Sequence, residues 1–331
     1  MDLGCAGEGI PPGGPLVLVP FTVTSWTPGV NGTVNTIAFN GGDCADAYIG
    51  GQFTSVDGAA ARNIAEISTT TGTLVPGFRH NASGAVESIQ AVDGHLLAGG
   101  RFRGINGSTA DPYYASLNPV TGKNDGFVEL GIWGHYQYKG VRANSTGVYN
   151  QQPSPDGTLV LVEGDFTSVG GLPRQQIFMI DVSGTVATLT GWSSAAWDGS
   201  DPTGGGRYDR YWQCSDSQPF YVQAAAWSPD GATIYLATTG GKPWKWNGTF
   251  PLAGLCDSVS AISAQQQENP PIHWTSYTGC GSLSTVAAGN DVVFAAGDER
   301  WADNPDGCQH PAAEPSKRRA WPPTPPPGRC C

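Results

Sequence analysis

An all-β fold assembled from repeats of short strands is what this sequence predicts, on three observations. The chain of 331 residues carries 47 Gly and 26 Pro and is only 14% charged, so the Ala/Glu/Lys/Leu/Arg-rich signature of coiled coils and long helical bundles is missing. Its 11 Trp, 11 Tyr and 11 Phe exclude a disordered chain, which has few aromatics and high charge. Short apolar runs alternate with Asp-Gly and Asn-Asp pairs, a hairpin signal, and no stretch with a 3.6-residue period exceeds two turns. The chain also resembles itself at a period of roughly 50–75 residues, which fits blade-type repeats with variable loops. Four short strands per repeat, arranged radially, make a β-propeller. The sequence predicts about five to six blades, in an arc that is incomplete or open.

The repeats occupy residues 25–308, after an N-terminal segment (1–24) that reads as a partial first blade. In the first copy the strand candidates lie around Val34 and Ile37, over 47–51, and around Ile64 and Ile67, the outer pairs being half-buried. In the second they lie around Val86 and Ile89, over 96–100 and over 114–117. The runs 158–162, 233–237 and 292–296 of the last three copies are short and apolar, as in strands buried on both faces. A Gly-Gly pair ends the central strand in the first two copies, because glycine lets the backbone crowd near an axis where a Cβ would clash. Two residues later Phe53, Phe102 or Phe166 is placed to fill the space between neighbouring sheets. After Cys308 the pattern stops. Residues 309–331 hold the Pro-rich stretch 322–327 and the basic run 317–319. They read either as a disordered tail or as text from a reading frame lost near residue 313.

The motif Gly-Gly-x-Phe-Thr-x-Val-x-Gly, followed by Arg-x-x-Ile-Ala-x-Ile/Leu and Thr-Gly-x-Leu, resembles the delta-60 repeat family of bacterial β-propellers. Segments 50–58 and 99–107 match it closely, and 163–171 matches with Glu-Gly-Asp-Phe in place of Gly-Gly-x-Phe. The last two copies lack the Phe-Thr-x-Val half. The resemblance implies an exported or surface-attached propeller with no established reaction, and it carries no catalytic residue across.

A net charge of −11 argues against nucleic acid, whose phosphates are bound by clustered Lys and Arg, and against anionic membrane surfaces. No run approaches the ~18 apolar residues of a membrane span. The run 16–19 ends at Pro20 and lacks the layout of a signal peptide. Eight cysteines (Cys5, Cys44, Cys214, Cys256, Cys280, Cys308, Cys330 and Cys331) are many for a reduced cytosol. They predict an extracellular or cell-surface protein whose start lies upstream of Met1. Neighbourhood along the chain favours the disulfides Cys214–Cys256 and Cys280–Cys308, against free buried cysteines.

Three groups of residues are site candidates. Aromatics in polar, Gly-rich segments (Trp133, Tyr136, Tyr208, Tyr211, Trp212, Trp244 and Trp246) suit stacking on a sugar or peptide, or else cap hydrophobic gaps between blades. Asp303, Asn304 and Asp306 sit on one short loop and mark a possible Ca²⁺ site, the one cofactor suggested, without the distal Glu of a full calcium loop; a plain Asx-turn uses the same residues. Glu163, Asp165 and Asp298 follow central strands and, at an axial mouth, would form acid pairs of the glycosidase type, about 5 to 9 Å apart; a solvated rim is the alternative. The five His have no metal-ligand spacing, and Asn31, Asn81, Asn106, Asn144 and Asn247 begin Asn-x-Ser/Thr sequons. No nucleophile elbow, P-loop or dinucleotide fingerprint is present. The sequence therefore points to a module that binds a glycan, peptide or protein through loops on one face, without catalysis. The alternatives are a polysaccharide hydrolase or lyase and a structural module of a longer surface protein.

Overall fold

The computed structural model describes residues 27–39, 44–135, 145–194, 196–197, 214, 220–240, 254–278 and 281–298. The segments 1–24 and 309–331 lie outside them. All regular elements among the described residues are strands, and the chain divides into two compact units, Met1–Glu129 and Leu130–Cys331. Several small antiparallel sheets, packed face to face within each unit, make the architecture all-β and propeller-like.

In the first unit, β1 (Thr33–Phe39), β2 (Asp46–Gln52) and β5 (Ile64–Ser68) form sheet 1, with β3 (Ser55–Val56) and β4 (Ala59–Ala60) as a small hairpin between β2 and β5. Strands β6 (Val86–Val92), β7 (His95–Gly100) and β8 (Tyr114–Leu117) form sheet 2. In the second unit, β9 (Ile132–Trp133) pairs outside the main sheets. Strands β10 (Gly147–Pro153), β11 (Leu159–Asp165), β14 (Ile177–Asp181) and β15 (Thr188–Leu189) form sheet 3. The short β12 (Ser168–Val169) and β13 (Leu172–Pro173) join β9 in a ribbon ordered β13-β12-β9. Sheet 4 is β16 (Val222–Trp227), β17 (Thr233–Thr238), β18 (Ser258–Ser263) and β19 (Ile272–Tyr277), and sheet 5 is β20 (Leu283–Ala288) with β21 (Val293–Gly297).

The predicted turn chemistry joins these strands. Asp93 and Gly94 take left-handed φ values of 43° and 80° between β6 and β7, as a two-residue hairpin loop requires. Ser-Pro-Asp-Gly turns join β10 to β11 and β16 to β17. In both, the Ser hydroxyl donates to the Asp carboxylate two residues on, Ser154 to Asp156 and Ser228 to Asp230, at 2.5 Å.

One backbone frame recurs in all five sheets. The first strand bulges once, between Val34 and Thr36, Val86 and Ser88, Val148 and Asn150, Val222 and Ala224, and Leu283 and Thr285. Opposite the bulge stands Gly51, Gly100, Gly164 or Gly297; a Cβ on these would lie 2.0–2.2 Å from the carbonyl oxygen of Thr33, Ala85, Gly147 or Ser282. The close approach expected at an axis is thus an approach to the adjacent strand's carbonyl. Sheet 4 carries Thr238 at this place. The glycine N–H of the first three copies donates to the carbonyl of Asn63, Tyr113 or Gln176, whose own N–H donates to the carbonyl of Phe53, Phe102 or Phe166. Asn63, Tyr113, Gln176 and Asp257 all have left-handed φ, from 41° to 73°, and each immediately precedes the third strand of its sheet.

Two burial expectations change. Ile64 and Ile67 are fully buried rather than half-buried, because both faces of β5 are covered: Ile67 packs with Ala47, Ile49, Phe53 and Val56, and Ile64 with Tyr48, Phe78 and Val86. Strand β21 is not buried on both faces: Phe294 is 59% exposed, since within the described residues β21 pairs with β20 alone. Phe102 fills the space between sheets 1 and 2 as expected, packed with Tyr48, Ile64 and Val86.

Candidate functional site

Of the aromatic candidates, Trp133 is described; Tyr136, Tyr208, Tyr211, Trp212, Trp244 and Trp246 lie outside the described residues, as do Asp303, Asn304 and Asp306. Trp133 is 74% exposed. Its neighbour in β9, Ile132, is buried against Val169 of β12, while Trp133 itself pairs with Ser168. The backbone is held from the same side, where the Thr167 N–H donates to the Trp133 carbonyl at 3.1 Å. Across the ribbon Trp133 stands opposite half-buried Ser168, which in turn stands opposite exposed Pro173. Three other tryptophans among the described residues are buried. Trp192 and Trp197 stack in the core at 4.6 Å, and Trp227 donates through Nε1 to the Gln152 carbonyl at 3.0 Å. Trp133 is thus an exposed aromatic side chain on a ribbon held by backbone pairing, an arrangement suited to stacking.

Glu163 and Asp165 do not form a solvated rim. Alternation along β11 puts Leu161, Glu163 and Asp165 on one face, and Leu161 belongs to the cluster between sheets 3 and 4. Both carboxyls are buried. Glu163 Oε1 accepts from Asn150 Nδ2 at 3.4 Å, and the Ala225 N–H of sheet 4 also donates to the carboxyl. Its Oε2 has no partner. Burial pushes Glu163 up to about 7, offset in part by the two hydrogen bonds. Asp165 acts on Tyr221, whose hydroxyl is raised by burial first and then by that charge. Asp298 is exposed, after β21. Register equates it with Asp165, one residue past the bulge glycine, whereas the equivalent of Glu163 is Ala296.

Two further buried carboxyls have no local sequence mark. Asp257 sits at the left-handed position of sheet 4 and accepts from Ser282 Oγ, just before β20, at 3.4 Å. It is pushed up to about 6 by burial and by Asp298, against the Ser282 bond. Glu66 of β5 lies opposite Tyr48 of β2. It is pushed up to about 7 by burial first and by Asp46 second, while its bond with Tyr48 acts the other way. The Tyr48 hydroxyl donates to the Pro119 carbonyl at 2.8 Å. At the β6–β7 hairpin, His95 Nδ1 lies 2.7 Å from Asp125 Oδ2, and its ring stacks on Phe127 at 3.9 Å. Asp125 is held below the usual carboxylate range: burial raises it, but bonds from Ser116, His95 and the Phe127 N–H outweigh that.

Among the described residues no three His, Cys, Asp or Glu side chains come together as a metal-holding group. Cys214 and Cys256 form the expected disulfide. Cys44 is disulfide-bonded as well, and Cys280 and Cys308 lie outside the described residues. No helix of the described residues is long and apolar enough to cross a membrane.

No protein-family model matches this sequence, and no curated protein does. Its fold is similar to the β-propeller domain of Cps50 (Swd1) from Myceliophteria thermophila, at a TM-score of 0.46 and 10% identity over 81% of this chain and 67% of that one. A protein of unknown function from Desulfotomaculum acetoxidans gives 0.43 and 13% over 81% and 63%. Kuenenia stuttgartiensis hydrazine synthase gives 0.41 and 12% over 79% and 68%. The chain therefore spans about two thirds of the length of these neighbours, and at such identity no residue role or activity carries across.

Proposed function

We propose that this chain is an extracellular module of the delta-60 propeller type, with five to six blades, that binds a glycan, peptide or protein through loops on one face. The observation that carries this reading is Trp133. A tryptophan that exposed, on a ribbon anchored by buried Ile132 and Val169, presents a large stacking area at little entropic cost. The disulfides of Cys214 with Cys256 and of Cys44 support an oxidising compartment. The test is binding of the full chain to glycan and peptide arrays. Trp133→Ala should weaken binding by about 10-fold or more, the loss of one good stacking contact, with an unchanged melting temperature. Unaltered binding contradicts the assignment of this ribbon.

A second reading, a polysaccharide hydrolase or lyase, draws on Glu163, since a carboxyl raised to about 7 suits a general acid. Turnover of a polysaccharide panel that vanishes in Glu163→Gln would establish it. Turnover that survives the substitution, or none from the full chain, would reject it.

A further inference from the structure

The seam between sheets 3 and 4 differs from the other seams at three positions in contact. Register equates Thr36, Gly50 and Ile89 at the sheet 1–sheet 2 seam with Asn150, Glu163 and Ala225 at the sheet 3–sheet 4 seam. A third version, Ala224, Ala237 and Val286, stands between sheets 4 and 5. In the first seam, a Cβ on Gly50 would lie 2.6 Å from Val86 Cγ1, 2.8 Å from Thr36 Cγ2 and 3.1 Å from Ile89 Cδ1. Ile89 fills the space, and Thr36 Oγ1 accepts the Ile89 N–H at 3.2 Å. In the sheet 3–sheet 4 seam Ala225 replaces the isoleucine. Glu163 enters the space this leaves, and its carboxyl takes over the N–H that Thr36 accepts elsewhere. Gln176 Oε1 accepts the Val222 N–H on the other side of the same bulge, at 3.0 Å.

We propose that this seam is a proton-operated latch, closed while Glu163 is a neutral acid and loosened when its carboxylate carries charge. The groups around Glu163 offer the charge little help. Val222, Ala225 and Trp227 of β16, Ile234 and Leu236 of β17, and Ile177 and Met179 of β14 are apolar. Asn150 of β10 and Gln176 are neutral amides, and Gln176 Nε2 is itself buried without a partner. The titratable groups facing this region are Asp165, on the same face of β11, and Tyr221, just before β16; neither supplies positive charge. The bonds from Asn150 and the Ala225 N–H favour the carboxylate, but desolvation outweighs them and one carboxylate oxygen is left unsatisfied. The folded-state value lies above the ordinary 4.5, so the native seam binds the proton more tightly than the unfolded chain. This contribution to stability is complete below about 4.5 and is lost as pH rises through about 7.

Glu66 titrates in the sheet 1–sheet 2 seam and Asp257 in sheet 4, so the readout has to be local: hydrogen-exchange protection of the full chain over 147–165, corrected for intrinsic exchange, at pH 5.5 and 8.5. The wild type should lose about 10-fold or more in protection at pH 8.5, one pKa unit of coupling being tenfold. Glu163→Gln should hold its protection at both values. The graft Asn150→Thr/Glu163→Gly/Ala225→Ile, which copies the first seam, should do the same and serves if the single variant fails to fold. No loss in the wild type, or an equal loss in a folded variant, would overturn the latch.

Discussion

The sheet 1–sheet 2 seam and the sheet 3–sheet 4 seam use one backbone and place their polar group differently. In both, β2 or β11 turns two alternate residues to the next sheet: Tyr48 and Gly50 in the first, Leu161 and Glu163 in the second. The residues opposite Tyr48 and Leu161 on the third strand are Glu66 and Met179. The first seam thus buries Glu66 on its third strand, and the second buries Glu163 and Asp165 on its second strand. Where Glu66 is buried, a tyrosine hydroxyl is its partner and the bulge end is packed with Ile89. Where Glu163 is buried, the Leu161–Met179 pair is apolar and the bulge end is opened by Ala225. A conserved backbone frame thus leaves the chemistry of a seam to a few side chains that must change together, because interiors are close-packed.

The comparison breaks most sharply if the carboxyl is moved without its companions. Gly50→Glu alone places a side chain where Val86, Thr36 and Ile89 leave no room, and leaves a charge uncompensated. It should destabilise the chain by about 3–5 kcal/mol, measured by denaturant unfolding. The frame itself is tested by Gly51→Ala, whose Cβ would lie 2.0 Å from the Thr33 carbonyl oxygen; overpacking against backbone should cost about 1–3 kcal/mol. Asn63→Ala should have a smaller effect, about 1–2 kcal/mol. It puts alanine at a φ of 63° and removes the Asn63 Nδ2 bond to the Ala82 carbonyl, 2.9 Å long. Asn63→Gly restores the backbone freedom and should recover part of that loss, separating the two causes.

The main strand positions and the hairpins were legible because their signals are local. Asp93 and Gly94, or the Ser-Pro-Asp-Gly turns, declare themselves within four residues. The left-handed position before each third strand was not legible, since Asn63, Tyr113, Gln176 and Asp257 share no side-chain type, only a φ. Glu163 and Asp165 were legible as an oddity in the Gly-Gly-x-Phe motif, but not as buried groups: the residue that makes room, Ala225, lies far along the chain in another sheet. Asp257 and Glu66 carry no motif, and their shifts arise from packing. Trp133 was legible as an aromatic in a polar segment, and its exposure follows from the pairing of β9 with β12, which no local pattern announces.

The dependence of one seam position on its neighbours is measured directly by a thermodynamic cycle. The unfolding free energy of Gly50→Glu is compared in the wild-type background and in a background carrying Thr36→Asn and Ile89→Ala. Coupled packing predicts that the companion changes recover at least about 1.5 kcal/mol of the Gly50→Glu loss. Additivity within about 0.5 kcal/mol, the behaviour of independent sites, would contradict it.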